Sequence, residues 1–253
     1  MVPILVPGAT ATGEIGLPVI AGVSLLLATI HVVGHWPHSL DVVPRSRLLS
    51  LGSGVSVAYV FVQVLPEVQQ ASEAVDRRGG ILTFVEQHVY LAALLGFVVF
   101  YGLERYVKRK RTDGPENATM DGVFWVHIGS FGLYNVIIGY LLVHRERPGI
   151  VNLVLFGFAI GLHLLVTDYD LRDEHLEEYE RIGRWVLAAA ILCGTALGVA
   201  VSVSEAVLGL LFSFLAGSIV LNVVKGELPA ERESRFTAFA IGALGYTALL
   251  VAL

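Results

Sequence analysis

Eight stretches of the chain contain no Asp, Glu, Lys or Arg: residues 15–40, 48–66, 87–103, 122–144, 148–167, 185–204, 206–224 and 236–253. They are 26, 19, 17, 23, 20, 20, 19 and 18 residues long, and a helix needs about 20 largely apolar residues to cross the hydrocarbon core of a bilayer. Runs this continuously apolar lack the alternation of barrel strands, which take about 10 residues each. The chain is therefore read as all-α, a polytopic membrane bundle of eight transmembrane helices at approximately 17–36, 48–68, 86–107, 121–143, 149–169, 184–203, 206–225 and 235–253. Composition agrees. With 55% hydrophobic and 15% charged residues and a mean hydropathy of +0.71, the chain has too little polar surface to wet a globule in water.

The net charge of −5 supplies no basic field for nucleic acid, and the hydrophobicity excludes disorder. A single cysteine, Cys193, excludes an internal disulfide framework and a CxxC site, and its apolar setting reads as a small buried packing residue. The connections are short, so residues 1–253 form one transmembrane domain. Only Ser202, Ser204 and Glu205 separate spans 6 and 7, which predicts a tight hairpin. The N-terminal MVPILVPGATATGEIG has no basic n-region, so the first span is expected to be retained. Basic residues in short loops stay on the cytoplasmic side. Thirteen of the 17 Lys and Arg fall in the loops after spans 1, 3, 5 and 7, against four in the others. The expected placement is multi-pass in the cell membrane with both termini extracytoplasmic.

Leu65-Pro66-Glu67 closes span 2 and Leu228-Pro229-Ala230-Glu231 closes span 7, at opposite faces of the bilayer. Such an echo fits an inverted repeat in which spans 1 to 3 mirror spans 6 to 8 around a central hairpin, a 3+2+3 arrangement common in transporters. Leu-Pro pairs also arise wherever helices stop.

The central hairpin carries the sharper signal. His127 and His163 are imidazoles inside membrane spans, and their midpoint in sequence is Arg145, in the turn HRERPG. A hairpin symmetric about that residue would bring both rings to one depth, about 10 Å into the bilayer at 1.5 Å per residue. Ionisable groups at such depth face the bundle interior or a water-filled path. Neutral imidazole is a ligand for zinc and its neighbours, and equally a hydrogen-bonding link between packed helices. The segment DYDLRDEHLEEYE after span 5 carries seven acids and His175; it reads as a solvated helix end and loop, or as a metal-collecting mouth.

At these residues the chain resembles the ZIP superfamily of divalent metal transporters, over essentially its whole length. Span 2, SGVSVAYVFVQVLPE, resembles the family's Gly-rich helix ending in Leu-Pro-Glu, and span 7, FSFLAGSIVLNVVKGELPAE, resembles its small-residue helix with a Leu-Pro ending. The family's span 4 carries HNxxDG and its span 5 HExxH. His127 and His163 stand at the heads of those motifs, but Ile128 and Phe131 replace the Asn and Asp, Leu164 replaces the Glu, and Thr167 stands at the last ligand position. Gln63 stands about where the family often has His, and no His-rich loop follows span 3. Carboxylates contribute most of the charge that offsets a dication's desolvation. The resemblance therefore implies a metal site at His127 and His163 that is weakened or altered, with Gln63, Asn135, Thr167 and Asn222 as residues that could line the path.

A reading of another class rests on His31 and His35, which at i and i+4 share one helical face and could hold zinc for an intramembrane hydrolase, with His38 and Asp41 following. The catalytic Glu of HExxH is missing, and Trp36-Pro37-His38 looks like an interfacial helix end. His88, His144 and His175, at span ends or in loops, are expected to be solvated. The sequence thus points to a ZIP-like transporter of a zinc-type divalent cation, not an enzyme, with a metal-less scaffold or regulator and the hydrolase as alternatives. No cofactor is required, Zn2+ or another divalent cation being the substrate. The expected partners are the lipid bilayer and that ion, with a homodimer open to it as an assembly and no nucleic acid.

Overall fold

The computed structural model describes residues 15–33, 45–66, 69, 89–113, 120–144, 149–227 and 235–252. Among them no strand occurs. The described residues form eight main helices: α1 (Leu17–Val33), α2 (Arg45–Tyr59), α3 (Val89–Asp113), α4 (Met120–Val143), α5 (Ile150–Glu174), α6 (Arg184–Ala200), α7 (Glu205–Glu227) and α8 (Phe236–Ala252). Six apolar segments, in α2 to α7, are long enough to cross a membrane, while α1 and α8 are apolar helices of 17 residues within the described range. The protein is accordingly a multi-pass helical membrane protein.

The helices are apolar on most of their circumference, as expected when the outer face meets lipid rather than water. Along α3, Tyr90, Leu91, Leu94, Leu95 and Val98 are all exposed, a stripe that a bilayer tolerates and water does not. Cys193 lies on such an exposed face of α6, contrary to the buried packing role expected from its apolar neighbours. An apolar run does not reveal which of its faces looks inward.

Two π-helical turns interrupt the regular pattern. Val60–Val64 continues α2 and buries Gln63. Tyr179–Gly183 leads into α6 after a break at His175, whose backbone (φ −139°, ψ 50°) leaves the helical region. Gly149, the one described residue with positive φ (104°), starts α5; a conformation that residues with a Cβ rarely adopt sets the exit of the α4–α5 turn there. The α6–α7 connection is the expected tight hairpin, residues 201–204. Tyr140 braces it, its hydroxyl donating to the Val201 carbonyl (3.0 Å) and accepting from the Val203 N–H (3.2 Å).

Packing divides among a few helix pairs. The most extensive contacts are α4 with α6, α2 with α8 and α3 with α7; α1 packs on α6 and α5, and α2 bridges to α5. Small residues permit the closest crossings. A methyl at Gly54 would overlap the Phe239 carbonyl and one at Gly242 that of Leu51, so α2 and α8 meet through reciprocal glycines. Gly96 against Phe214 and Gly217 against Ala93 do the same for α3 and α7. Polar links add direction: Thr195 donates to the Ile191 carbonyl, so the Ser24 hydroxyl donates to Thr195 (2.7 Å), joining α1 to α6, while Tyr246 donates to the Leu155 carbonyl (2.8 Å), joining α8 to α5.

The fifth helix departs most from expectation. The sequence ends this span at 169, at the first charges, yet α5 runs on to Glu174 and carries Asp168, Asp170, Arg172, Asp173 and Glu174 in helical register. Asp168, His175 and Tyr179 are buried, whereas Asp173, Leu176 and Glu177 are exposed, so this acidic segment turns one face inward and leaves the other open. Part of its charge is paired: Glu180 takes Arg172 (2.6 Å) and Arg184 (3.1 Å). Charge pairing lets a helix continue where hydropathy alone would stop it.

Candidate metal centre

His127 sits two turns into α4 with 1% of its surface exposed. Its ring is surrounded by groups from three other helices. Nδ1 lies 3.3 Å from Glu174 Oε2 and 3.2 Å from His175 Nε2, at the end of α5 and just beyond it. Nε2 lies 3.7 Å from Glu104 Oε2 on α3. The ammonium of Lys225 on α7 bridges the two carboxylates, 2.8 Å from Glu104 Oε1 and 3.4 Å from Glu174 Oε1. Lys108, more exposed, reaches Glu104 at 3.9 Å. Two carboxylates, two imidazoles and one half-buried ammonium thus converge where α3, α4, α5 and α7 approach one another.

His127, Glu174 and His175 each offer one ligand atom, and the three atoms lie within 4.8 Å of one another. Tetrahedral zinc with ligand bonds of about 2.0–2.1 Å separates its ligand atoms by about 3.3 Å. Both separations from His127 Nδ1, 3.2 and 3.3 Å, match that spacing. Two imidazoles and a carboxylate form a donor set that holds zinc and leaves a fourth position for water or an entering ligand. Beside the cluster, Phe131, Thr167, Asp170, Leu171 and Asn222 line a small cleft with His127 and Lys225. Asn222 Nδ2, buried, has no hydrogen-bond partner among the described residues.

The sequence-predicted residues distribute unevenly around this centre. His127, Thr167 and Asn222 share the cleft. His163 is as buried as His127 but belongs to another contact, with Nε2 2.7 Å from the Tyr134 hydroxyl and 3.5 Å from Thr167 Oγ1. Tyr134 stands seven residues beyond His127, about 10 Å along α4 at 1.5 Å per residue. The pairing of Tyr134 with His163, and of His127 with the Thr167 to Glu174 face, centres the hairpin near residue 148 or 149 rather than at Arg145. Gly149, whose positive φ starts α5, stands at that centre. Gln63 is buried in the π turn of α2, outside the cleft lining. Of the altered motif positions, Phe131 lines the cleft, while Ile128 and Leu164 are buried in the apolar core.

A second polar centre lies between α1, α4 and α5. His31 Nδ1 faces both oxygens of Asp168, at 2.8 and 2.9 Å, and Nε2 faces Asn135 Oδ1 at 2.9 Å. Asn135 Nδ2 donates to the Phe131 carbonyl (2.8 Å), which turns Oδ1 towards His31. Nε2 must therefore donate to Asn135, and one further proton joins Nδ1 to the carboxylate, a hydrogen-bonded pair that is an ion pair when the imidazole holds that proton. With both nitrogens engaged, His31 presents no lone pair to zinc in this arrangement. Its proposed companions His35, His38 and Asp41 lie outside the described residues, as does His88. His144 is half-buried and stacks on Tyr140 with ring centroids 4.5 Å apart. His175, expected to be solvated, is 4% exposed.

Hydropathy ends the span at its first charges, so it does not reveal Glu174 and His175 as neighbours of His127, or Asp168 as the partner of His31. One signal was present: His163, Thr167, Asp170 and Glu174 recur at intervals of four, three and four, a polar stripe along one face of α5. Compared with protein-family models and with curated proteins, the chain matches none.

Proposed function

We propose that this protein is a ZIP-like membrane transporter of a zinc-type divalent cation, in which His127, Glu174 and His175 form a station on the ion's path. The observation that carries the reading is the convergence of two imidazoles and a carboxylate, their ligand atoms within 4.8 Å of one another, inside a membrane bundle and beside a cleft that His127 lines with Thr167 and Asn222. A dication at this place would meet the carboxylate that the altered motifs of spans 4 and 5 do not supply.

The packing supports a 3+2+3 inverted repeat. If α1, α2 and α3 correspond to α6, α7 and α8, the α2–α8 crossing must have α7–α3 as its counterpart, and the α4–α6 contact must have α5–α1; all four pairs pack. The equivalence reaches single residues. Adding 163 to a position in α2 aligns Ser50 with Ser213, Gly54 with Gly217, Val57 with Val220, Leu65 with Leu228 and Pro66 with Pro229. Gly54 and Gly217 are the closest-approach glycines of their two crossings. With the orientation set by the basic loops, the station lies in the cytoplasmic half, where the ends of α3, α5 and α7 meet the start of α4.

A metal-less scaffold is the second reading, favoured by the apolar packing of Ile128, Phe131 and Leu164. Reconstitution into vesicles containing a zinc-responsive dye separates the two. The transporter reading expects saturable Zn2+ or Cd2+ entry that His127→Ala with His175→Ala reduces to the level of empty vesicles. Dye signals identical with and without protein would leave the scaffold.

A further inference from the structure

The half-buried ammonium in this cluster is the feature the transporter reading does not use. Lys225 has a side chain 17% exposed, and its Nζ is held by Glu104 of α3 and Glu174 of α5. Glu174 is shared: Oε1 faces Lys225 while Oε2 faces His127. We propose that Lys225 is a tethered competitor for the metal station, holding the two carboxylates until an arriving dication displaces its ammonium. This rests on the reading of His127, Glu174 and His175 as a metal station.

The geometry leaves little room for both cations. An ion bound to Glu174 Oε2 would stand on the same carboxylate whose other oxygen is 3.4 Å from Nζ, and like charges that close repel strongly where water is scarce. Lysine suits the exchange, because its ammonium is a point charge on a flexible four-carbon stem that can swing away. Without metal, the lysine neutralises part of the carboxylate charge that the closed helices would otherwise leave buried and unpaired. With metal, the dication takes over that task and the tie from α7 to α5 is released. α7 packs chiefly on α3, whereas α5 packs with α1 and α2, so the tie joins helices that otherwise meet little. Binding is thereby linked to loosening one contact between parts of the bundle, and the station holds its ion weakly enough to let it leave.

The test is equilibrium binding of Zn2+ and Cd2+ to the purified full chain in detergent micelles, by titration calorimetry at one pH. Lys225→Met is expected to bind about tenfold or more tightly than the unmodified chain, since a full positive charge is removed from the ion's surroundings. Lys225→Arg, which keeps the charge in a rigid fork, is expected to bind no more tightly than the unmodified chain. His127→Ala added to Lys225→Met should abolish the gain. Should the single variant fail to fold, Glu104→Gln with Lys225→Met, compared with Glu104→Gln alone, reads the removal of the ammonium at a constant carboxylate count and is expected to show the same gain. If the unmodified chain binds metal and the Lys225→Met proteins bind equally or less tightly, the competitor role is overturned. If no variant binds either metal, the station itself is overturned.

Discussion

Asp168→Ala should be among the most destabilising single changes in the described bundle. The carboxylate is buried (3% exposed), as is His31 (2%), and both its oxygens lie within 2.9 Å of His31 Nδ1. His31 is also held by Asn135 through its other nitrogen, so on losing the carboxylate it cannot turn to another partner without breaking that bond. Removing one member of a buried charge pair typically costs about 3–5 kcal/mol, chiefly because the other is stranded. Asp168→Asn keeps an acceptor but not the charge, and should cost about 1.5–3 kcal/mol, the range for a hydrogen bond to a charged group. His31→Phe strands the carboxylate instead and should resemble Asp168→Ala. The double variant strands neither the imidazole nor the carboxylate and leaves only the Asn135 Oδ1 acceptor unmet, as His31→Phe alone already does, so its cost should fall below the sum of the single costs by about 2–3 kcal/mol, well outside the roughly 0.5 kcal/mol within which independent sites add. Reversible unfolding in mixed micelles, followed by helical circular dichroism, measures all four proteins. Additive costs would refute the dyad.

Three further outcomes follow from the packing and the charge pattern. Gly217→Ala drives a methyl into the Ala93 carbonyl and should cost about 1–3 kcal/mol of overpacking. Gly129→Ala, with nothing within 4 Å of the added carbon, should be neutral or stabilising by up to about 1 kcal/mol; the same unfolding assay compares them. Phe131→Asp, at the lining of the cleft, should strengthen zinc binding in calorimetry by about an order of magnitude by adding a carboxylate beside His127. Leu164→Glu, fully buried in the apolar core, should lower stability without that gain. Reporter fusions after Leu253 and near Arg77 should register outside the cytoplasm, and fusions near Lys110 and Asp173 within it, because basic residues concentrate in the loops after odd-numbered spans.

Hydropathy located every main helix because charge is nearly excluded from lipid-facing segments, and each of the eight charge-free runs overlaps one helix. The same signal erred where charges are paired inside the bundle. α5 passes Asp168 without ending, since that carboxylate has His31 and the following turn has Glu180 with Arg172 and Arg184. Pairings between distant segments leave no mark in local hydropathy. Register was illegible for a related reason. The centre of the α4–α5 hairpin depends on the turn, and HRERPG does not fix it; the contact of His163 with Tyr134 puts the centre beside Gly149, whose φ is positive. His127 was identifiable from sequence as a buried imidazole, but Glu104, Glu174, His175 and Lys225 were not identifiable as its neighbours, because three separate helix ends bring them there.

The most direct test of the metal station is X-ray absorption at the zinc edge on the purified chain loaded with one equivalent of Zn2+. The structure predicts a first shell of nitrogen and oxygen at about 2.0–2.1 Å, with two imidazole scattering patterns and no sulfur. His175→Ala should remove one of the two patterns, and His127→Ala with His175→Ala should remove both along with most of the bound metal. A zinc shell that keeps two imidazoles in that double variant would place the ion elsewhere and contradict the station.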